Sequence, residues 1–210
     1  MKLYDADWAP SPRRVRMFLA EKGVEIDREK IDLAAGAHLG AAYLAVNPRG
    51  TVPALLLDDG TLIDESSAIC RYIESLHPDP CLFGRTAREI ALVEAWTRRI
   101  DDEGYGAATF AFRNRNRHMI DRGLPGNWPP IAQIPELVDR GRTMWACFVA
   151  ALEARLAGRD WIAIDAYSYA DLTALVAVDF ARATKLDTGD LPPALAAWHA
   201  RASARPSAGA

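Results

Sequence analysis

Two places along the chain set charge-handling residues at an expected helix start. Glu65-Ser66 stands just ahead of the apolar positions Ile69 and Ile73. The first N–H groups of a helix and its positive dipole end attract a carboxylate, while a Glu side chain there can meet an ammonium group. Ser11 stands one residue before Pro12 and ahead of Val15, Phe18 and Leu19 at helical spacing. Its hydroxyl or N–H can donate to a bound group, or it can simply cap the helix, as Ser66 can. Other reactive residue types are sparse. Cys70, Cys81 and Cys147 are odd in number and far apart, so they form neither a disulfide framework nor a zinc-binding C-x-x-C. With no cysteine before Cys70, the preceding segment has no C-x-x-C or C-x-x-S redox centre. Cys70 itself, beside Ile69 and Ile73, reads as core.

Positioning these residues requires a strand-and-helix unit first and helices after it. Met1–Asp7 reads as a strand, Trp8–Pro12 as a turn into a helix that stops at Gly23, and Val24–Asp32 as a second strand. A weak helix over Leu39–Leu44 and the turn Asn47-Pro48-Arg49-Gly50 follow. Thr51–Leu57 and Thr61–Asp64 flank Asp58-Asp59-Gly60 as a hairpin, and Ser66–Leu76 is helical. Val52-Pro53 taken alone reads as a proline limiting an edge strand. The proline-bounded stretch 78–85 reads as a linker between a domain of residues 1–77 and one of 86–210. Strand signals vanish in the second, where Ala87–Phe110, Ile134–Leu156 and Tyr169–Lys185 are amphipathic and a last helix frays at Arg205-Pro206. Ser168-x-x-Asp171 before an apolar run is a capping-box variant with a structural role.

Composition narrows the function. In 210 residues, 50% are hydrophobic, enough for a real core, and 25 Lys and Arg against 28 Asp and Glu leave a net charge of -3. That balance excludes a generally basic nucleic-acid or anionic-membrane binder. The one basic cluster, Arg113 to His118, has no interleaved aromatics and reads as a solvated helix end. No apolar signal segment opens the chain and no apolar run reaches membrane-spanning length. Few cysteines fit a reducing, cytoplasmic setting.

Three blocks in order, Ala9-Pro10-Ser11-Pro12-Arg13-Arg14-Val15-Arg16, Asn47-Pro48-Arg49-Gly50-Thr51-Val52-Pro53-Ala54-Leu55 and Asp64-Glu65-Ser66-Ser67-Ala68-Ile69, resemble the cytosolic glutathione S-transferases. The resemblance spans the chain. It implies an α/β plus all-α fold, a thioredoxin-like N-terminal domain followed by an all-helical C-terminal domain. It also implies a homodimer that uses glutathione as co-substrate, with no metal or other cofactor, and attacks small hydrophobic electrophiles. By resemblance, Val52-Pro53 is a cis dipeptide whose Val52 main chain pairs with the cysteinyl part of glutathione like an added strand. Glu65 and Ser66 grip the γ-glutamyl end. His38 falls where members place a polar or basic side chain near the glycyl carboxylate, although a histidine in a polar loop is equally a solvated one. The electrophile pocket of the family lies between the domains and draws here on Trp8, Tyr105, Phe110 and Phe112, each also readable as core. The stretch Asp101 to Gly104 reads alternatively as a solvated acidic face.

The chemistry implied by the resemblance needs a thiolate. A free thiol with pKa near 8.5 is only a few per cent ionised at neutral pH, and lowering it by two units takes about 2.7 kcal/mol. One donor to a charged acceptor supplies roughly 1.5–3 kcal/mol and a helix N-terminus about 0.3–1 kcal/mol. The family uses a Tyr in the first strand, or a Ser or Cys in the following turn. Ala9 occupies the serine position of some classes, so Ser11 is the first candidate and Tyr4 the second. The alternatives are main-chain donors alone, a non-enzymatic binding or regulatory protein of the same fold, and glutathione-dependent peroxidase, isomerase or dehalogenase chemistry.

Overall fold

Leu3, Tyr4 and Asp5 are buried in the opening strand β1 (Lys2–Asp5), and the rest of the small sheet is built around it. In the computed structural model, which describes residues 1–210, β1 pairs parallel with β2 (Asp27–Lys30) and antiparallel with β3 (Ala54–Leu56). β4 (Leu62–Ile63) completes the order β2-β1-β3-β4. The strand expected over Val24–Asp32 shrinks to four charged residues, all exposed. Such an edge resists pairing with another chain. The hairpin turn closes with Leu57 N–H to Thr61 C=O at 2.9 Å, and its left-handed position (φ +86°) falls on Gly60.

The first helix, α1, runs Pro10–Lys22 with Ala9 as its N-cap residue, two residues earlier than a start at Pro12. Proline suits these first positions because their N–H groups have no intrahelical partner. Ser11 is therefore the second helical residue and not the cap. Gly23, at φ +62°, ends the helix as expected. A 3-10 turn (Ala37–Leu39) and a single α-turn, α2 (Ala41–Leu44), replace the weak helix. α3 (Ser66–Leu76) buries Ile69, Cys70 and Ile73 completely and packs against α1. Lys22 is paired with Glu74 and also donates to the Pro80 C=O, pinning the end of α1 to α3. This unit comprises Met1–Pro80 together with Leu124–Ile131 and Ala210, so a segment expected in the helical domain belongs here.

The second unit is helical. α4 (Ala87–Arg99) begins at a capping box formed by Thr86 and Glu89. The single helix expected from Ala87 to Phe110 is interrupted by a π-helical turn over Ile100–Tyr105 before α5 (Gly106–Arg115). There Gly104 meets the Phe148 ring so closely that a Cβ would lie 2.5 Å from it. α6 (Glu136–Leu156) approaches α5 at Gly141, where a Cβ would lie 2.7 Å from the Ala107 C=O. α7 (Tyr169–Ala183) is buried continuously from Tyr169 to Val178, and α8 (Pro193–Ser203) follows. Asp171 sits at the start of α7, accepting from Ser168 N–H (3.0 Å) and Oγ–H (2.9 Å), Ile162 N–H (2.9 Å) and the Trp198 indole (2.9 Å). No helix is long and apolar enough to cross a membrane.

Candidate functional site

The N-terminus of α3 lacks a side-chain cap. Glu65 is its N-cap residue and Ser66 its first helical residue, so Ser66 does not cap as its residue type suggests. Glu65 makes no capping hydrogen bond because its carboxylate is held by Arg49 Nη1 at 2.8 Å, the same atom that meets Asp64 at 3.0 Å. The Glu65 hydrogen bond raises the Arg49 pKa above the ordinary guanidinium range. The first N–H groups of α3 are consequently left without a side-chain acceptor, with the helix dipole behind them. Ser66 is almost buried, and its Oγ accepts from Arg14 Nη1 at 3.3 Å.

Val52 stands beside this helix start. The β3–β4 register matches Leu55 with Ile63 and Leu56 with Leu62. Val52 and Pro53 lead into β3 at the end of the hairpin from which Asp64 and Glu65 lead out of β4 to Ser66. The Val52-Pro53 bond is cis. Val52 is half-buried, and its N–H and C=O form no main-chain hydrogen bond within the chain. The residue before it is fixed firmly: the Thr51 C=O accepts from Tyr43 Oη–H at 2.6 Å and Asn47 Nδ2 at 2.9 Å. Burial pushes the Tyr43 phenol up to about 12, against the pull of its Asn47 contact.

His38 is 6% exposed, so the solvated-loop reading fails. Its C=O lies against Gly50, where a Cβ would meet it at 3.1 Å. Ser11 lies on the same face of α1 as Arg14, three residues on, whose guanidinium reaches Ser66. Pro10 and Pro12 carry no N–H, so among the first three helical residues Ser11 alone offers one. The loop into α1 is clamped by Arg16, which pairs with buried Asp5 at 2.6 Å and donates to the C=O of Ala6 (3.3 Å) and Asp7 (2.8 Å).

Tyr4 lies beneath this site, in register with Ala54 and in the apolar cluster against which Val52 packs. It is 6% exposed in an apolar cluster with Ile31, Tyr43 and Ala54, its ring edge-on to Tyr43 at 5.5 Å. Trp8 is 59% exposed. In the second unit Tyr105 and Phe112 both pack on Phe180, at 5.8 and 5.6 Å, while Phe110 is half-buried on α5. In the basic cluster Arg115, Arg117 and His118 are exposed at the helix end as expected, whereas Arg113 is half-buried, which lowers its pKa, and donates to the Arg122 C=O at 2.9 Å. Asn114 beside it is 7% exposed and accepts from Ile134 N–H at 2.8 Å. Sequence reasoning passed over Arg14, Arg16 and Arg49. For Arg49 the signal was present, a cation in the turn required by the adjacent acids Asp64 and Glu65; nothing in the pattern marks Arg14 and Arg16 as buried.

Comparison with known proteins identifies the family. The family model for the glutathione S-transferase N-terminal domain matches residues 8–76, and that for the C-terminal domain matches 121–206. Glutathione S-transferase 2 of Saccharomyces cerevisiae is 34% identical over 99% of this chain and 87% of its own length. A maleylacetoacetate isomerase of Pseudomonas aeruginosa is 43% identical over a shorter stretch, 42% of this chain and 45% of that protein. The crystal structure of a glutathione S-transferase domain-containing protein from Marinobacter aquaeolei VT8 superposes with a TM-score of 0.89 at 33% identity, covering 99% of each chain. With both halves matched and a relative aligned almost end to end, the chain belongs to the glutathione S-transferase family and is an enzyme of that class.

Proposed function

We propose that this enzyme binds glutathione in its first unit and presents the thiolate to small hydrophobic electrophiles. The observation that carries the reading is the uncapped N-terminus of α3 beside the Glu65 carboxylate, at the same end of the β3–β4 hairpin as the Val52 main chain, which has no main-chain partner. The γ-glutamyl group has a carboxylate and an ammonium on one carbon. Its carboxylate fits the uncapped N–H groups and Ser66, and its ammonium fits Glu65. The cysteinyl residue then adds as a short strand to Val52 at Pro53, and the glycyl carboxylate runs toward His38. Ser11 holds the sulfur. Its Oγ–H and its N–H, the only N–H of the first three helical residues, give two donors at a positive helix end, enough for the roughly 2.7 kcal/mol that a two-unit pKa shift demands. Tyr4, packed into the core, is set aside as activator. Trp8, an exposed aromatic side chain in the turn before α1, is offered to the electrophile. The enzyme works as a cytoplasmic homodimer, in keeping with the family and with cysteines free of disulfides.

Calorimetric titration of wild type and Ser11→Ala with glutathione, combined with the ultraviolet absorbance of bound thiolate as pH varies, tests this. Wild type binds with a lowered thiol pKa, and Ser11→Ala raises that pKa by about 1–2 units. A wild type that does not bind glutathione refutes the reading. Glutathione-dependent isomerisation is the second reading, favoured by the 43% identity to the isomerase. Turnover of a cis-enoic substrate with glutathione regenerated, and no conjugation of model electrophiles, would select it.

A further inference from the structure

Residues Leu124–Ile131 are distant in sequence from the Asn47–Gly50 turn yet belong to the same unit. The Asn127 N–H donates to the Arg49 C=O at 2.7 Å, and Asn127 Nδ2 donates to the Pro48 C=O at 3.3 Å. Gly126, at φ +99°, lies so close to the turn that a Cβ would stand 2.6 Å from the Arg49 oxygen. Gly50 completes the contact: a Cβ on it would meet the Asn127 Cβ at 3.2 Å as well as the His38 C=O. The Trp128 indole N–H folds back onto the Pro125 C=O at 2.8 Å, so 125–128 is itself a closed turn. The Pro48–Thr51 segment is thus held twice. Tyr43 and Asn47 fix Thr51, while Gly126 and Asn127 fix Pro48 and Arg49. The second hold matters because the Arg49 side chain is 56% exposed. A solvent-exposed ion pair orders a long side chain poorly by itself, so the direction of its guanidinium depends on where its main chain is anchored.

We infer that Asn127, with Gly126, is a positioning residue for the glutathione site: by anchoring the Arg49 main chain it aims the Arg49 guanidinium at Glu65, and so places the carboxylate that meets the ammonium of glutathione. This rests on the glutathione reading above. Asn127 does not itself touch the tripeptide, and its effect passes through Arg49. Replacing Gly126 with alanine drives a methyl into the Arg49 carbonyl and lifts the latch away. Replacing Asn127 with alanine removes only the Pro48 bond.

The test is calorimetry with reduced glutathione on the full chain, for wild type, Gly126→Ala, Asn127→Ala, Arg49→Ala and the two double variants with Arg49→Ala. Gly126→Ala is expected to weaken binding about ten-fold and Asn127→Ala about three-fold, the range of one lost or displaced hydrogen bond. The KM for glutathione rises in step, while kcat at saturating glutathione moves less than about two-fold, because the sulfur site on α1 is untouched. In the Arg49→Ala background neither substitution weakens binding further, whereas any loss of thermal stability still adds. Wild-type binding with both latch variants equally tight overturns the inference, as does full additivity with Arg49→Ala. A wild type that does not bind overturns the glutathione reading and the latch with it. If circular dichroism shows Gly126→Ala unfolded, Asn127→Pro decides, since it deletes the N–H that the Arg49 C=O accepts.

Discussion

Replacing Arg16 by methionine isolates what fixes the loop between β1 and Ser11. The Arg16 side chain is 8% exposed and that of Asp5 is 1% exposed, with 2.6 Å between Nη1 and Oδ1. Methionine keeps the packing volume and deletes the charge, the bond to Asp5 and both loop carbonyl bonds. Asp5 then retains the Ala6 N–H at 2.8 Å and the half-exposed Arg28 at 3.7 Å. Ala6 C=O still accepts from Ala9 N–H at 3.2 Å, whereas Asp7 C=O loses its donor. Breaking a buried pair from one side costs about 3–5 kcal/mol, chiefly for the stranded charge. With a urea m value of about 2 kcal/mol per M, a loss of about 4 kcal/mol moves the unfolding midpoint by roughly 2 M. The double variant Asp5→Asn, Arg16→Met removes that charge and is expected to recover at least about 1.5 kcal/mol. In Arg16→Met the loop leading to Ser11 loosens while Val52 and Ser66 stay put, so kcat falls further than glutathione affinity. A single-variant loss under about 1 kcal/mol, or a double variant no more stable than the single, would refute the reasoning.

Ser168→Ala removes one of four donors to Asp171 and is expected to lower stability by about 1 kcal/mol with glutathione affinity unchanged. Asp171→Ala strands the Ile162, Ser168 and Trp198 donors at roughly 1–3 kcal/mol each, so chemical denaturation should show a loss larger by at least about 3 kcal/mol. Tyr43 sets an alkaline limit on stability. Its folded pKa, near 12, lies above the unfolded value of 10.0. The folded chain therefore keeps a proton that the unfolded chain releases, so stability is intact below pH 10 and falls between about 10 and 12, by at most about 2.7 kcal/mol. Tyr43→Phe should flatten that fall in alkaline denaturation curves while costing about 1 kcal/mol at neutral pH, since Asn47 still donates to the Thr51 C=O.

Local signals made the first unit legible: the Asp59-Gly60 turn, Gly23 as a stop and the apolar spacing of α3 all act within a few residues. For Val52 and Ser66 the local pattern gave only a proline limiting an edge strand and a helix start; their expected roles came from the family resemblance. What stayed hidden depends on contacts remote in sequence. The Gly126 and Asn127 latch lies on a proline-rich stretch with no periodicity, and only the close approach to Arg49 gives it meaning. At the π-helical turn of the long helix, Gly104 leaves room for the Phe148 ring of another helix, a contact that local helical spacing cannot report. His38 read as polar loop because polarity predicts exposure on average, yet the 3-10 turn of Ala37–Leu39 buries it.

α1 shows why residue type alone misleads in this unit. Arg14, Arg16 and Lys22 are all under 9% exposed, although cations at these positions would ordinarily be assigned to a solvated helix face. Each is buried because its charged end reaches a different part of the same unit: Arg14 the start of α3 at Ser66, Arg16 the loop after β1, Lys22 the end of α3 at Glu74. A purely apolar α1 would pack the sheet equally well, since apolar replacements of buried pairs are often neutral or stabilising. Apolar contact is non-directional, however, and leaves the height and rotation of a helix end loosely set. Directional bonds to three separate segments fix α1, which bears Ser11, against both the loop after β1 and the helix start that bears Ser66. The distance from Ser11, near the start of α1, to Ser66, at the start of α3, is thus set by cations on α1 itself.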